Sequence, residues 1–367
     1  MKYYIIAGEA SGDLHASNLI REISKIDRES SFRGWGGDLM QMQGADIVKH
    51  YRELAFMGFT EVLINLHTII DNFRACKNDI LFFNPDVIIL VDYPGFNIRI
   101  AGFARKKGFR VFYYISPQLW AWHVSRVKKI KKSIDKMFVI LPFEKEFYFK
   151  FGVSVDFVGH PLLDAISETG EENDLTPRDI IAILPGSRKQ EIRKILPAML
   201  SVIPFFKNNR FIIAGMSSIG KEFYEKFIEH YNIEIVIDDT YTLLRKSAAA
   251  IVTSGTATLE TAILNVPQVV CYKANPISYL LARWLARIKF IALPNLIAGG
   301  EVVKELIQNN LNTGNLACEL KGLLTLEIAS AIKKDYEKIR SALGAKGSSE
   351  RTARLMINYL KTYNYQD

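Results

Sequence analysis

Asp92 is the residue whose type and position most directly suggest catalysis. It follows an apolar, β-branched run at 87–91, and the turn 92–97 then leads into a helical pattern. A carboxylate at the end of a central strand can act as a general base, taking the proton of a hydroxyl group as that group attacks. The same residue could instead form the turn or cap the following helix, and the residues alone leave both interpretations open.

The turn 185–188 is a candidate phosphate site. It follows the apolar run 180–184 and precedes a helical pattern. Gly186 allows close approach of the backbone, Ser187 can cap the helix, and Arg188 supplies a positive charge suited to a diphosphate. Taken alone, this turn could also be an ordinary helix cap with an arginine that faces solvent.

A second turn of this kind follows the run 249–253. It carries Ser254, Gly255 and Thr256, and small hydroxyl residues at a strand-to-helix turn can bind an anion. Glu260 lies one turn into the helix, where it could cap the helix or accept hydrogen bonds from the hydroxyls of a ribose. Two such turns beside one carboxylate predict a nucleotide site. The missing GxxxxGK(S/T) and GxGxxG patterns argue against P-loop kinases and Rossmann dehydrogenases.

Two more turns of the first half join strands to helices. The turn 8–15 is rich in glycine, which by itself is a weak signal. The turn 116–123 places Trp120 and Trp122 beside a basic helical stretch. Tryptophans are most often core residues, but a proline-flanked pair at the end of a strand is unusual for a core.

The elements that must position these residues alternate along the whole chain. Short β-branched runs and helical patterns follow one another, which predicts parallel strands joined by crossover helices. The predicted strands are 3–7, 87–91, 111–115 and 136–140, then 180–184, 211–214, 233–237, 249–253 and 268–272. Because ligands of open parallel sheets bind at the carboxyl ends of the strands, all the turns above are well placed. The fold class is therefore α/β, with two doubly wound units.

The stretch 167–177 divides the chain. It contains one apolar residue and no periodicity, as is typical of a linker between domains. We expect a first domain at 1–170, a second at 171–340 and a helical segment at 341–367.

Composition favours a cytoplasmic protein with two cores. The 367 residues are 49% hydrophobic, which is enough to bury more than one core. Cys76, Cys271 and Cys318 are too few and too widely spaced for a disulfide framework or a CxxC metal site, so a reducing compartment fits best. No run approaches the ~18–20 apolar residues of a membrane-spanning helix. The apolar run near the N-terminus is too short for a signal peptide.

The formal charge of +8 is compatible with nucleic acid, an anionic membrane or a phosphorylated substrate. Basic residues are concentrated at 105–107 and between Arg126 and Lys136. Such a run is usually a solvated face, and membrane or phosphate contact are the alternatives. A protein that merely bound nucleic acid would leave the strand-end turns unexplained, so we expect no nucleic-acid partner.

The turns belong to a longer ordered set of segments, and this set resembles the lipid-A-disaccharide synthase family, glycosyltransferase family 19. The resemblance covers residues 3–310 and is carried by segments 8–13, 92–97, 117–122 with Arg126, 141–144, 158–161, 184–188, 254–260 and 293–296. One departure is Gly300, where the resemblance leads us to expect a basic residue.

The resemblance implies a GT-B fold, in which two Rossmann-like doubly wound domains face a cleft and the C-terminal helices cross back to the first domain. It also implies an inverting transfer in lipid A biosynthesis. UDP-2,3-diacylglucosamine and 2,3-diacylglucosamine 1-phosphate would be joined by a β-1,6 linkage, with release of UDP. We expect no cofactor and no metal, because no Asp-x-Asp pair is placed to hold a metal on the diphosphate.

The chemistry of that transfer suggests roles for the residues singled out above, and the resemblance adds Asn295. Asp92 is the expected base, with Glu9 and His15 as competitors because their turn should line the same cleft. The predicted UDP-sugar site consists of Gly186, Ser187, Arg188, Ser254, Gly255, Thr256, Glu260 and Asn295. Arg188 is also expected to act in catalysis by meeting the charge of the leaving UDP. The predicted acceptor site consists of Ser11, Gly12, His15, Trp120, Trp122 and Arg126.

Both implied substrates carry fatty acyl chains. We therefore expect peripheral association with the inner surface of the cytoplasmic membrane. The apolar segments 53–66 and 280–288 could each provide the contact, or could each be a buried helix. The nearest alternative function is a GT-B UDP-N-acetylglucosamine transferase or epimerase that acts on a soluble substrate.

Overall fold

The structure is a computed structural model that describes residues 1–54, 66–122, 124–168, 179–275, 279 and 289–364. The chain divides into two compact units. The first consists of Met1–Pro161 together with Ala345–Asp367, and the second of Leu162–Gly344. The expected boundary at residue 170 and most of the predicted linker lie outside the described residues, and the observed division comes earlier, after Pro161.

The first unit is built on one parallel sheet. Its strands are β1 (Lys2–Ala7), β2 (Ser31–Gly36), β3 (Asp46–His50), β4 (Val87–Val91), β5 (Arg110–Tyr114), β6 (Lys136–Val139) and β7 (Asp156–Phe157). They pair in parallel in the order β3-β2-β1-β4-β5-β6-β7. The helices are α1 (Ala10–Ile26), α2 (Asp38–Met42), α3 (Leu66–Phe83), α4 (Pro94–Lys106), α5 (Leu119–Trp122), α6 (Val127–Ser133) and α7 (Pro142–Phe149).

Side chains of the central strands form a core on each face of this sheet. Tyr3 and Ile5 belong to one core and Tyr4 and Ile6 to the other, because successive residues of a strand point to opposite faces. This double burial explains the nearly continuous apolar runs of β1 and β4. Helix α1 covers the first face, and α3, α4, α6 and α7 cover the second.

The second unit repeats this architecture. Its strands are β8 (Ile180–Leu184), β9 (Arg210–Gly215), β10 (Glu234–Ile237), β11 (Ser247–Thr253), β12 (Gln268–Tyr272) and β13 (Lys304–Ile307). They pair in parallel in the order β10-β9-β8-β11-β12-β13. The helices are α8 (Leu162–Glu168), α9 (Lys189–Leu200), α10 (Lys221–Ile228), α11 (Thr240–Arg245), α12 (Thr256–Ile263), α13 (Leu293–Ala298), α14 (Thr313–Leu323) and α15 (Leu326–Ala342).

Helix α8 belongs to the second unit although it precedes the expected boundary. Its residues Leu162, Leu163 and Ile166 are buried in a core shared with Leu259 and Ile263 of α12. Apolar packing therefore decides the division of the chain here.

The C-terminal helix α16 (Ser348–Asn364) returns to the first unit, as predicted. Its residues Ala353, Met356 and Ile357 are buried in the core that α1 covers. The hydroxyl of Ser348 donates a hydrogen bond to the carbonyl oxygen of Gly159 at 2.8 Å, which ties the start of α16 to the loop after β7.

Candidate active site

The predicted site residues occupy equivalent places in the two units. In each sheet the strand order reverses at one point, between β1 and β4 in the first unit and between β8 and β11 in the second. Ligands of doubly wound sheets bind outside the carboxyl ends of the strands at this switch point. Glu9 and Asp92 follow β1 and β4, and the turns 186–188 and 254–256 follow β8 and β11.

Asp92 has an unusual backbone. Its φ is +44° and that of Tyr93 is +49°, in the left-handed region that few residues other than glycine adopt. The N–H of Asp92 donates to the carbonyl oxygen of Tyr114 at 3.1 Å. Its own carbonyl oxygen accepts hydrogen bonds from the Tyr113 hydroxyl at 2.5 Å and from Asn97 Nδ2 at 2.7 Å. Backbone strain of this kind is concentrated at functional sites.

The Asp92 carboxyl group titrates near neutral pH. Burial raises the pKa of Asp92 to about 7, and the negative charge of Glu9 adds to the rise, while a hydrogen bond from the Tyr93 backbone opposes it. Glu9 itself is the half-buried N-cap residue of α1, and its side chain makes no capping hydrogen bond. A carboxyl group with a pKa near 7 is well suited to general-base catalysis.

The turn after β1 is packed closely against its neighbours. A Cβ atom at Gly8 would overlap the ring of Tyr93, so this position requires glycine. A Cβ atom at Gly12 would lie 3.3 Å from the Cβ atom of Ala7, which shows how closely α1 approaches β1. Ser11 is exposed.

His15 is buried in α1. Burial lowers the pKa of His15 to about 4, so the imidazole is neutral at pH 7. His160, after β7, is also buried, and burial together with His15 lowers the pKa of His160 to about 3. A group with so low a pKa is a poor general base at neutral pH, which favours Asp92 over His15.

Asp13 was not singled out from the sequence. Its buried carboxylate accepts hydrogen bonds from the backbone N–H groups of Gly37 at 2.8 Å, Leu39 at 3.1 Å and Met40 at 3.2 Å. These bonds satisfy the N-terminus of α2 and join the first turn of α1 to the loop that follows β2. The sequence marks Asp13 only as an acidic residue inside a Gly-rich turn.

Glu144 was also missed as a site residue. It is 1% exposed and accepts hydrogen bonds from the hydroxyl of Ser116, and from the backbone N–H groups of Ile140 at 3.2 Å and Leu141 at 2.9 Å. Burial raises the pKa of Glu144 to about 7, although these hydrogen bonds lower it. Glu144 therefore ties the loop after β5 to the loop after β6.

The loop after β5 carries the predicted aromatic residues. The ring of Trp120 meets that of Phe143 edge-on, with centroids 5.0 Å apart. Trp122 ends α5, but its side chain and the whole of His123 lie outside the described residues. Arg126 is half-buried and ends a short 3-10 helix, Val124–Arg126.

In the second unit, Arg188 lies in the turn between β8 and α9. Gly186 has a φ of +106°, and Arg188 is the N-cap residue of α9. The side chain of Arg188 is 54% exposed and donates to Glu191 Oε1 at 3.2 Å. Such an exposed pair is weak, so the guanidinium can turn toward an anion at the helix N-terminus. The prediction that Ser187 caps α9 is wrong, because the chain enters the helix one residue later.

The turn after β11 is open and small. The hydroxyl of Ser254 donates to the carbonyl oxygen of Ile291 at 3.2 Å. Gly255 is the N-cap residue of α12 and Thr256 is its first residue, and both are exposed. The first N–H groups of a helix have no partner within the helix, so this turn can donate to an anion.

Glu260 is half-buried beside Tyr241. The Tyr241 hydroxyl donates to Glu260 Oε1 at 2.9 Å. Burial raises the pKa of Glu260, and the hydrogen bond from Tyr241 lowers it. One carboxylate oxygen is thus held by the protein.

Asn295 is completely buried, which was not expected of a ligand contact. Its Nδ2 donates to the carbonyl oxygen of Val303 at 2.8 Å and to Glu305 Oε1 at 2.9 Å. Its Oδ1 accepts from the N–H groups of Val302 at 2.8 Å and Val303 at 2.9 Å. Glu305 also accepts from the N–H of Ala292 at 2.9 Å. This geometry favours a role for Asn295 in shaping the loop between α13 and β13.

Two apolar segments were expected to contact a membrane or to form buried helices. The apolar segments 53–66 and 280–288 lie almost entirely outside the described residues. Among the described residues, no group of three or more His, Cys, Asp or Glu side chains is placed to hold a metal ion, and no helix is long and apolar enough to cross a membrane.

Known proteins are similar to the whole chain. A sequence model of the lipid-A-disaccharide synthetase family matches residues 3–358. The chain is 37% identical to a lipid-A-disaccharide synthase of Syntrophus aciditrophicus, with 97% of each chain covered. Among solved structures, S. aureus MnaA in complex with UDP has a TM-score of 0.70 at 15% identity and covers 98% of this chain and 97% of its own. The calicheamicin glycosyltransferase CalG4 has a TM-score of 0.66 at 15% identity, with 98% of each chain covered.

Proposed function

The chain belongs to the lipid-A-disaccharide synthetase family, and we propose that loops at the carboxyl ends of the strands in both sheets take part in a glycosyl transfer. We call these two sets of loops the first and the second sheet edge. It is a glycosyltransferase with the GT-B fold. It joins UDP-2,3-diacylglucosamine to 2,3-diacylglucosamine 1-phosphate by a β-1,6 linkage and releases UDP. Family membership over nearly the whole chain favours this reaction over a UDP-sugar epimerase or a transferase with a soluble substrate.

Asp92 is the general base. The 6-hydroxyl oxygen of the acceptor attacks the anomeric carbon of the donor, and the bond from that carbon to UDP breaks, with its electron pair leaving on the diphosphate. The hydroxyl proton passes to Asp92, and the anomeric centre is inverted. This role is supported by the place and the pKa of the Asp92 carboxyl group. The group is half-buried on a strained backbone where the strand order reverses, and its pKa is raised to about 7. Glu9 raises that pKa and is the competitor for the role.

The turns of the second unit hold the UDP part of the donor. Negative charge that develops on the leaving diphosphate is met by Arg188 and by the N-termini of α9 and α12. Hydroxyls of Ser187 and Thr256 supply further hydrogen bonds, and the Ser254 hydroxyl does so by turning away from the Ile291 carbonyl oxygen. Gly186 and Gly255 admit the phosphates, Glu260 accepts from the ribose, and Asn295 shapes the adjoining loop.

The turns of the first unit hold the acceptor. The proposed contacts are Ser11, Gly12, His15, Trp120, Trp122 and Arg126. Gly12 and His15 are buried, and their alternative role is to shape the turn without contacting the acceptor.

Measurement of UDP release from both diacylated substrates tests the assignment of the base. Asp92→Asn should lower kcat by about 10²- to 10⁴-fold with little change in KM, because general-base catalysis is lost and the shape of the side chain is kept. Asp38→Asn is the matched control, since Asp38 is an exposed carboxylate of the same unit that pairs with Arg52. Near wild-type kcat in Asp92→Asn, with loss of activity in Glu9→Gln, would transfer the role to Glu9.

Peripheral membrane association is the second part of the proposal. Helix α6 is buried through Val127 and Ile130, in the same core as residues of α4. Exposed basic residues cover the surface of these two helices, and we call them the basic face: Arg105, Lys106, Lys107, Lys128, Lys129, Lys131 and Lys132. Phe151, which is 40% exposed, adjoins it, since Lys131 Nζ donates to the carbonyl oxygen of Phe151 at 3.4 Å. Clustered lysines and arginines with exposed aromatic rings bind anionic lipid headgroups, here at the inner surface of the cytoplasmic membrane.

Co-sedimentation with vesicles tests this association. The wild type should bind vesicles that contain anionic lipid more tightly than neutral vesicles, and salt should weaken the binding. Lys128→Ser with Lys129→Ser should reduce binding, whereas Lys334→Ser with Lys338→Ser on α15 should not. Equal binding by both double variants would exclude the basic face.

A further inference from the structure

We propose that Asn97 and Tyr113 are positioning residues, which hold the carbonyl group of Asp92 and so aim the Asp92 carboxylate at the acceptor hydroxyl. The inference deepens the proposed function and rests on it, because it takes Asp92 as the base. Neither residue needs to touch a substrate, since both are 0% exposed.

Asn97 contacts the ends of two strands with one amide group. Its Nδ2 donates to the carbonyl oxygen of Asp92 at 2.7 Å, and it lies 3.2 Å from that of Val91 and 3.4 Å from that of Ile6. Its backbone N–H donates to the carbonyl oxygen of Tyr93 at 3.0 Å. Asn97 therefore ties the carboxyl ends of β1 and β4 together at the point where the strand order reverses.

Tyr113 approaches the same oxygen from β5. Its hydroxyl donates to the carbonyl oxygen of Asp92 at 2.5 Å. A carbonyl oxygen has two lone pairs, so the hydroxyl of Tyr113 and the amide of Asn97 satisfy it completely. The N–H of Asp92 is held by Tyr114 at 3.1 Å, which leaves this residue fixed on both sides.

Two consecutive left-handed residues need such support. Asp92 and Tyr93 both have positive φ, and a conformation of this kind persists only where the surroundings impose it. Loss of a donor to the Asp92 carbonyl would allow the backbone to relax toward an ordinary turn, and the carboxylate would move with it. The ring of Tyr93, which lies against Gly8, would lose its place beside the Glu9 turn.

Position also determines the protonation of Asp92. The groups that act on its charge are Glu9 from the turn after β1 and the backbone of Tyr93, while the Tyr113 hydroxyl faces it from β5. A displaced carboxylate would gain water and move relative to Glu9. Its pKa would then fall toward the ordinary value for an aspartate.

Tyr113→Phe tests the inference because it removes one hydroxyl and keeps the ring. Tyr4→Phe is the matched control, since Tyr4 is buried in the same core and donates to Asp79 at 2.8 Å, away from the site. In Tyr113→Phe we expect kcat to fall about 10- to 100-fold, as for a small displacement of a catalytic group. KM for both substrates should change by less than about twofold, and the midpoint of the acidic limb of the kcat–pH profile should move to lower pH. Tyr4→Phe should lower Tm but leave kcat and that midpoint unchanged.

A merely structural role predicts a different result. If both variants lose Tm and neither changes kcat or the pH midpoint, the inference is overturned. If Tyr113→Phe does not fold, Asn97→Ser is measured and judged by the same criteria.

Asp92→Asn is measured in the same experiment. Wild-type kcat in Asp92→Asn would remove Asp92 as the base and this inference with it, whereas an inactive Asp92→Asn with a normal Tyr113→Phe would overturn this inference alone.

Discussion

The two sheet edges share a topology but hold their residues differently. At the first edge, Asp92 and Glu144 are fixed by hydrogen bonds from the protein, and burial raises the pKa of each to about 7. At the second edge, Ser187, Arg188 and Thr256 are exposed. A carboxyl group must be placed before the substrate arrives, because its surroundings determine its pKa. Cations and helix N-termini can complete their contacts around an anion after it binds.

This difference indicates which unit determines the rate of the chemical step and which determines binding of the UDP-sugar. Under the proposed function, buried hydrogen bonds hold the groups of the chemical step in the first unit, and contacts to the UDP-sugar in the second unit form when the ligand binds. Substitutions at the first edge should therefore lower kcat, and those at the second should weaken interaction with the UDP-sugar. Four measurements test this division.

Of these four measurements, the largest effect is expected at Arg188. Arg188→Ala should lower kcat/KM for the UDP-sugar by about 100-fold, since a charged donor to the leaving group contributes about 3 kcal/mol. Arg193→Ala is the control, because Arg193 lies on the same helix with its guanidinium 5.5 Å from the Phe223 ring. Equal kcat/KM in the two variants would contradict a role for Arg188 at the diphosphate.

Glu144 should affect the rate without affecting UDP binding. Glu144→Gln keeps the side-chain shape but loses the charge that accepts from Ser116 and two backbone N–H groups. We expect kcat to fall about 10-fold as the loop after β5 loosens. The affinity for UDP, measured by calorimetry, should stay unchanged. A large change in UDP affinity would break the division between the edges.

The pH dependence of kcat should reflect the interaction between the carboxyl groups of Asp92 and Glu9. Asp92 accepts a proton only when it is ionised, so kcat should rise with pH and level off above about 7. Glu9→Gln removes a negative charge that raises the pKa of Asp92, so the midpoint should move to lower pH. An unchanged midpoint in Glu9→Gln would mean that the kcat profile reports another group.

The smallest effect is expected at Tyr241. Tyr241→Phe releases the Glu260 oxygen that its hydroxyl occupies. KM for the UDP-sugar should change by about two- to fivefold, as for one neutral hydrogen bond, and kcat should not. A change in kcat alone would show that this carboxylate acts in the chemical step.

Strand-end positions were predictable because they depend on local pattern. Apolar runs such as 87–91 and 180–184 end where the chain turns, and those turns carry Asp92 and Arg188. The strands β2, β3, β7 and β13 were not predicted. Strand β2 contains an arginine and two glycines, β3 is a half-exposed edge strand, and β7 has two residues. Their pairing partners, and not their own residues, make them strands.

Hydrogen bonds between residues far apart along the chain could not be predicted from the sequence. The bonds from Ser116 to Glu144 and from Gly37 to Asp13 join residues far apart along the chain. Asn295 was recognised by its motif, but the motif does not reveal that four hydrogen bonds inside the fold occupy its amide. Local sequence pattern thus predicted where these side chains lie along the strands and turns better than it predicted what they contact.

The chain leaves the first unit at Pro161 and re-enters it at Ala345, and this path affects synthesis. The ribosome makes the sheet of the first unit long before it makes α16, whose Ala353, Met356 and Ile357 close one face of that sheet. The second unit is continuous and can complete its core earlier. Translation that stopped at residue 344 would release a second unit with all its residues and a first unit with apolar surface open to water.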